Sequence, residues 1–461
     1  MRDLPVERIA ELAGAELLAR GSAPGGPAGV SIDSRAVAPG ELFVGLRGEN
    51  VDGGAHAEQA LAAGAWGALV TPGYADTLQG GVVLTHEQPL EGLQKLAAAW
   101  REELGRRGAK VVAITGSVGK TSTKDILAAL LSQQLRTSFS PENLNTEIGL
   151  PLALLAAPAD TQALVLEMAM RGKGQIAELM EIARPDVGAI VNIGPAHIEL
   201  LGSLEAIAAA KAELIAGMAP GATAIVPVSE PLLEPHLRDD LDTVTFGAGG
   251  DVHFAAPAVP GEPVRIRDGA TEIVLEPSFV QAHQLQNLLP AVAAARAIGV
   301  TPHGRVQVEF SSGRGERCEL AGGIVLIDDT YNAGPLSMRA ALDELAQAGG
   351  RRVAVLGDML ELGEQAPERH REIGTYAHER GVSLLVAVGE LAAEIERSFA
   401  GESVAVDDAA GAAQLVPTLL GGGETVLVKG SRGVGLEVVS AALREVFAPL
   451  EDPVISHHGR S

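Results

Sequence analysis

The sequence is short of aromatic residues, cysteine and positive charge, and it contains no long apolar run. Phe, Trp and Tyr together make up 3% of the chain while 46% is hydrophobic, so its cores must be built from aliphatic side chains, as in many α/β proteins. A single cysteine, Cys318, excludes an internal disulfide and predicts a reducing compartment; alone it reads as structural filler and not as a nucleophile. Lys and Arg number 35 against 59 Asp and Glu, a net charge of −24. A nucleic-acid binder needs a basic face, so that class is disfavoured, and a solvated acidic surface is the simpler reading. No apolar run reaches the roughly 18–20 residues of a membrane span. The opening MRDLPVERIAELAGAELLAR has acids from the start and no signal-peptide hydrophobic region, which predicts a cytoplasmic chain.

What is present is organised around residues 111–131, VVAITGSVGKTSTKDILAALL. An apolar run at 111–114 ends in Thr115-Gly116. Ser117, Val118 and Gly119 follow, then Lys120-Thr121-Ser122 and a helical pattern with Ile126, Leu127, Leu130 and Leu131 on one face. This is a strand, a phosphate loop and a helix. Glycines let backbone N–H groups turn toward a phosphate, the helix N-terminus adds partial positive charge, Lys120 can reach the outer phosphates, and the Thr121 hydroxyl can hold magnesium. The run is TGxxGKT and not the commoner GxxxxGK[ST], since Ile114 stands where the first glycine would be.

At 461 residues the chain should hold two to four domains. Residues 1–85 read as a small α/β unit: helical spacing in the first twenty residues, a Gly/Pro-rich stretch at 21–29, VSIDSR at 30–35, ELFVGLRG at 41–48, and apolar strands at 66–70 and 82–85. Ser34, Arg35 and Arg47 fall at strand ends, where loops often bind ligands, although an arginine there is more often surface charge. A helix over Pro89–Arg106 marks a boundary. Residues 86–311 alternate strand and helix, with strands at 111–114, 163–166, 187–193 and 224–228, which predicts a largely parallel sheet covered on both faces, with ligands at the strands' carboxyl ends. Glu167 falls at such an end and is placed to bind magnesium; by itself it could be an ordinary strand-end acid. His197 follows another strand end, and Lys211 sits among alanines on a helix. Asn143, Asn145 and Thr146 form a polar cluster, and His283 and Asn287 share a helix face. Residues 312–461 repeat the rhythm, with strands at 324–327, 353–356, 384–388 and 425–428 that end in polar loops and resemble a dinucleotide-binding sheet. The tail EDPVISHHGRS reads as a frayed end.

Taken in order, these stretches resemble the Mur ligases along essentially the whole chain. The resemblance rests on Thr115 to Thr121, on DSRAVAPGELFVGLRGE from Asp33, on NIGPAHIELLGSLEAIAAAKAELI from Asn192, on DDTYNAGPLSM from Asp328, on GDMLELG from Gly357 and on KGSR from Lys429. It implies three α/β domains: an N-terminal domain binding the UDP-muramoyl substrate (1–85), a central P-loop ATPase domain with a parallel sheet (86–311) and a C-terminal Rossmann-like domain (312–461). The pair DDTYNAGP and GDMLELG resembles the branch of the family that adds D-alanyl-D-alanine to UDP-N-acetylmuramoyl-tripeptide, with ATP consumed through an acyl phosphate, in cytoplasmic peptidoglycan synthesis. On that resemblance Thr115 to Ser122 with Asn287, Arg314 and Asp329 are expected to bind ATP. Lys120, Glu167, His197 and Lys211 would be catalytic, and Thr121, Glu167, His197 and Lys211 would hold two magnesium ions, Lys211 as a carbamate. Ser34, Arg35 and Arg47 would hold UDP, and Tyr331, Asn332, Asp358 and Met359 would shape the dipeptide end. No nucleic acid or membrane partner is implied, and a monomer is expected. A folylpolyglutamate- or cyanophycin-synthetase-like ligase is disfavoured by DSR and GDMLELG. A nucleotide switch protein would leave Glu167, His197, Lys211 and the last third of the chain without a role.

Overall fold

Where an apolar run is buried on both faces it stays apolar residue after residue, and this governs the sheets of this chain. In the strand Arg352–Gly357, Val353 and Val355 face one core while Ala354 and Leu356 face another. The structure, a computed structural model, describes residues 1–22, 25–48, 51–141, 143–228, 230–259 and 261–448. The expected frayed tail and Glu49 of the DSR-containing stretch lie outside them. The chain folds as two compact units, the first comprising Met1–Ile193, Ala208–Val280 and Gln284–Val308, the second Gly194–Ile207, Gln281–His283 and Glu309–Ser461.

The first unit carries two sheets. The smaller has five strands. In it Val30–Ser31, Leu42–Val44, Gly67–Val70 and Val82–Thr85 run parallel, and Glu16–Ala19 closes the edge antiparallel to Val82–Thr85. The helical spacing expected through the first twenty residues therefore breaks. The helix stops at Val6–Ala13 because Gly14 takes a left-handed conformation (φ +60°) and sends the chain into a strand.

The larger sheet has ten strands, with Lys110–Thr115 between Ala163–Glu167 and Val187–Ile190, all parallel. One expectation is corrected here. The run 187–193 leaves the sheet after Ile190, because Asn192 turns its side chain to the phosphate loop. The sheet is largely parallel, as expected, with one departure: Val252–Phe254, Val264–Asp268 and Thr271–Pro277 form an antiparallel meander. VRIRD and TEIVLEP alternate buried and exposed residues, so only one face needs cover.

The helix Pro89–Arg106 packs on Val6–Ala13 and on Gly149–Ala156 and Gln175–Ala183, joining the two sheets. Its Trp100 donates to Ala157 O at 3.1 Å. Arg101, 8% exposed, donates to Ala183 O and Arg184 O, both at 2.8 Å, and to Asp186 at 3.0 Å. Asp186 in turn accepts from Val111 N and so anchors the start of the phosphate-loop strand. Replacing Arg101 by leucine strands two carbonyls and a carboxylate. It should cost about 3 kcal/mol in a denaturant titration, and an unchanged midpoint would refute this anchoring.

The second unit holds one sheet of six strands. Ile324–Asp329, Thr425–Lys429, Arg352–Gly357, Leu384–Val388 and Glu402–Val406 run parallel in that order, with Glu316–Leu320 antiparallel at the edge. Helices lie on both faces. Met338, Leu342 and Ile373 pack on one, Ala412, Val439 and Leu443 on the other. Among the described residues no helix is long and apolar enough to cross a membrane.

Candidate active site

In the first unit the carboxyl ends of three adjacent parallel strands deliver Thr115, Glu167 and Asn192 to one place. Asn192 Oδ1 accepts from Ser117 N (3.1 Å) and Val118 N (2.9 Å), and its Nδ2 donates to Val118 O (2.8 Å). This one side chain clamps the loop. Gly119 sits at φ +83°, and a Cβ there would lie 2.6 Å from Asn287 Oδ1, so conformation and space both demand glycine.

Lys120 opens the helix Lys120–Ser132 and donates back to Gly116 O at 2.8 Å and Ser117 O at 3.4 Å. Lys211 reaches the same Gly116 carbonyl at 3.0 Å. It is 2% exposed. Burial, and secondarily the charge of Lys120, hold its ammonium well below the usual lysine range. Beside this pair Thr121 Oγ1 donates to Glu167 Oε2 at 2.6 Å, and Asn145 Nδ2 donates to Oε1 at 2.8 Å. Thr121 and Glu167 are each 1% exposed. Beneath them Lys124, fully buried, bonds Ser140 O (2.8 Å) and Asp125 (3.0 Å). The Thr115 hydroxyl is buried with no hydrogen-bond partner among the described residues. Ser122 is buried on the first turn of the helix.

A cavity of about 460 Å³ adjoins the loop, lined among others by Asn192, Phe246, Gln286 and Asn287. Asn287 was expected near the nucleotide; Asn192 and Phe246 were not. Asn192 lay inside an apolar run read as strand to residue 193, and a polar residue closing such a run is the signal that could have found it.

Among the described residues no group of three or more His, Cys, Asp or Glu could hold a metal ion. The donors at the loop are one threonine hydroxyl and one carboxylate, both hard oxygens. That thin set suits magnesium, which keeps water and takes substrate phosphates as its other ligands.

At the carboxyl ends of the smaller sheet's parallel strands, Arg35 makes a two-pronged pair with Asp33, at 2.9 and 2.7 Å, and lowers that carboxyl to about 2. Arg47 pairs with Asp52 at 3.4 Å, and Ser34 Oγ donates to Gln59 at 3.4 Å. All three lie on exposed loops after neighbouring strands Val30–Ser31 and Leu42–Val44.

The second unit gathers another set. Lys429, 1% exposed, donates to Asp329 at 2.6 Å and to Asn332 O at 2.8 Å. Ser431 N donates to Asp358 O, Leu360 N donates to Ser431 Oγ, and Ser431 Oγ donates to Ala333 O, tying three loops together. Asp358 Oδ1 accepts from Ala392 N at 2.6 Å. Arg314 lies 3.9 Å and Arg432 5.5 Å from the Tyr331 ring centre. His197 Nδ1 lies 2.5 Å from Glu361 Oε2, and both residues adopt φ +63°, a costly conformation for side chains with a Cβ. Sequence reasoning placed His197 but passed over Glu361. His283 is also here, its imidazolium disfavoured by burial.

Met359 lies at this end as well. Its side chain is fully buried in the apolar core, beneath the loop that carries Asp358. Its N–H donates to His370 Nε2 at 2.9 Å, while His370 Nδ1 donates to Ala366 O at 2.6 Å. Both ring nitrogens are used and the ring is neutral, with burial lowering its pKa from 6.5. Below 6.5 the unfolded chain takes up this proton before the folded chain does. Stability therefore rises with pH across the window between the folded value and 6.5, and is lost as pH falls through it. The stability advantage of the wild type over His370→Asn should shrink on acidification below that value; a gap constant with pH would exclude this role.

Three family models match the chain: the Mur ligase family catalytic domain over residues 28–100, the Mur ligase middle domain over 114–295 and the Mur ligase glutamate ligase domain over 313–432. The UDP-N-acetylmuramoyl-tripeptide–D-alanyl-D-alanine ligase of Synechocystis sp. is 39% identical over 431 residues, 90% of this chain and 92% of that protein. The crystal structure of MurF from Acinetobacter baumannii superposes with a TM-score of 0.84 at 29% identity, covering 96% of this chain and 99% of that one. The MurF ligase of Thermotoga maritima in complex with ADP superposes at 0.78 with 30% identity, covering 91% and 97%.

Proposed function

The chain belongs to the Mur ligase family, and on that premise we propose that it joins D-alanyl-D-alanine to UDP-N-acetylmuramoyl-tripeptide in peptidoglycan precursor synthesis, splitting ATP to ADP and phosphate. Its domains are taken as 1–85 for the UDP-muramoyl substrate, 86–311 for ATP and 312–461 for the incoming dipeptide. The observation that carries the reading is the convergence of Lys120 and Lys211 on one carbonyl beside the Thr121–Glu167 pair. Lys120, at a helix N-terminus and beside the hydroxyl and carboxylate of Thr121 and Glu167, supplies the positive charge and the hard oxygen donors that a magnesium-bound phosphoryl group needs.

A carboxylate is a poor electrophile. Phosphorylating the tripeptide's terminal carboxylate turns its oxygen into a leaving group, and the dipeptide amine can then displace phosphate. The chain's part in this is positioning and charge compensation. Loop amides from Gly116 to Thr121, held by Asn192, cradle the phosphates, and Lys120 neutralises the outer ones. Asn287, which lines the adjoining cavity, is assigned to the base, and Asp329 and Arg314 are assigned, on the family resemblance, to the ribose and phosphates. Thr121 and Glu167 would hold one magnesium ion; on the family resemblance Lys211, as a carbamate, and His197 would serve a second, and magnesium would supply charge neutralisation. Ser34, Arg35 and Arg47 bind the UDP group. Tyr331, Asn332 and Asp358 line the dipeptide end. The enzyme acts as a cytoplasmic monomer.

Phosphate release from ATP and magnesium, with each of the other substrates omitted in turn, tests the reading. Release that needs both, with a pentapeptide product by mass, is expected. Release indifferent to the dipeptide would overturn it.

A further inference from the structure

We propose that Arg432 binds the terminal carboxylate of the incoming dipeptide and thereby selects acceptors with a free C-terminal acid. The inference rests on the ligase reading and adds to it the residue that reads the acceptor's far end. A dipeptide that attacks through a neutral amine still carries one negative charge. Taking that carboxylate out of water requires a cation, and a guanidinium meets a carboxylate with two parallel hydrogen bonds.

The cations on this face of the second unit can be sorted by what already holds them. Lys429 is buried and neutralised by Asp329 at 2.6 Å. Arg444 is tied to Asp328 at 2.9 Å. Arg314 lies against the Tyr331 ring at 3.9 Å, with its Nε buried and without a hydrogen-bond partner among the described residues. Arg432 is exposed and faces the same ring at 5.5 Å. Most arginines of this unit meet a carboxylate; Arg432 makes no ion pair among the described residues.

Its position is fixed from behind. Ser431, 3% exposed, bonds the loops that carry Asp358 and Ala333. Arg432 therefore starts from the junction of the three loops at the strands' carboxyl ends. The Tyr331 ring orients a guanidinium by its face and leaves the edge N–H groups for an anion. A nucleotide phosphate shares this oxyanion chemistry, so the test must separate the two.

The full-length protein is assayed for product by mass with D-alanyl-D-alanine and with its C-terminal amide, as wild type, Arg432→Ala and Arg432→Lys. The wild type should prefer the acid in kcat/KM. In Arg432→Ala that preference should fall about a hundredfold, the strength of a charge-assisted hydrogen-bonded pair. The loss should come through the KM for the dipeptide and not through the KM for ATP, and Arg432→Lys should recover part of it. A preference kept by Arg432→Ala, or a rise in the KM for ATP with the acid–amide ratio intact, overturns the proposal and leaves the ligase reading standing. Wild type that makes no product from either acceptor removes both.

Discussion

Lys120→Ala is expected to lower kcat/KM for pentapeptide formation about 10³-fold, the loss typical of removing one preorganised charge from a developing anion. Lys120 stands at the first turn of its helix, where the helix N-terminus and its own ammonium point the same way. It is anchored at 2.8 Å to the loop it serves. The helix beneath is held by Ile126, Leu127, Leu130 and Leu131, all fully buried, so the variant should fold with a nearly unchanged thermal midpoint. Single-turnover formation of ADP separates this from a binding defect, since the deficit should persist at saturating ATP. Lys120→Arg should recover little, because the bulkier fork does not fit where Lys120 meets Gly116 O. A near-normal rate in Lys120→Ala would mean that the phosphate is neutralised elsewhere.

Lys211→Met is expected to cost at least as much, and activity should depend on dissolved carbon dioxide. Burial first, and Lys120 second, disfavour the Lys211 ammonium. A neutral amine is the form that attacks the carbon of carbon dioxide; a C–N bond forms, one proton leaves, and a carbamate anion results. The change alters the electrostatics at Gly116: a neutral amine beside the Lys120 cation becomes an anion beside it. Stripping carbon dioxide from the buffer should therefore lower the rate, bicarbonate should restore it, and labelled bicarbonate should give a carbamate carbon signal absent from Lys211→Met. A rate indifferent to carbon dioxide, with no such signal, would return Lys211 to the role of a plain amine.

The phosphate loop was legible because its determinants lie together in the chain. An apolar run, two glycines and a lysine within twenty residues leave few alternatives. Four parallel strands of the second unit were legible for a similar reason, since burial keeps them apolar, whereas the half-exposed edge strand Glu402–Val406 was not. The meander of the larger sheet was not. Arg265, Arg267, Glu272 and Glu276 occupy its exposed face and dilute the apolar signal to every second residue. Partnerships across long sequence separations were hidden as well. Asn145 stood out as part of a polar cluster, but nothing local tied it to Glu167. The pairing of Glu361 with His197, 164 residues apart, depends on two left-handed backbone positions that no propensity favours. Nothing local in GDMLELG shows that the Met359 side chain completes a core.

The cavity beside the loop and the loop itself share their walls. Asn192 lines the cavity and clamps Ser117 and Val118, and Asn287 lines it and stands where a Cβ on Gly119 would be. A compound that fills this space thus presses on the side chain that keeps the loop amides in register and on the one packed against Gly119. A compound seated there would need no phosphate mimic to disturb the loop, and resistance by substitution at Asn192 would come with a loosened grip on the nucleotide.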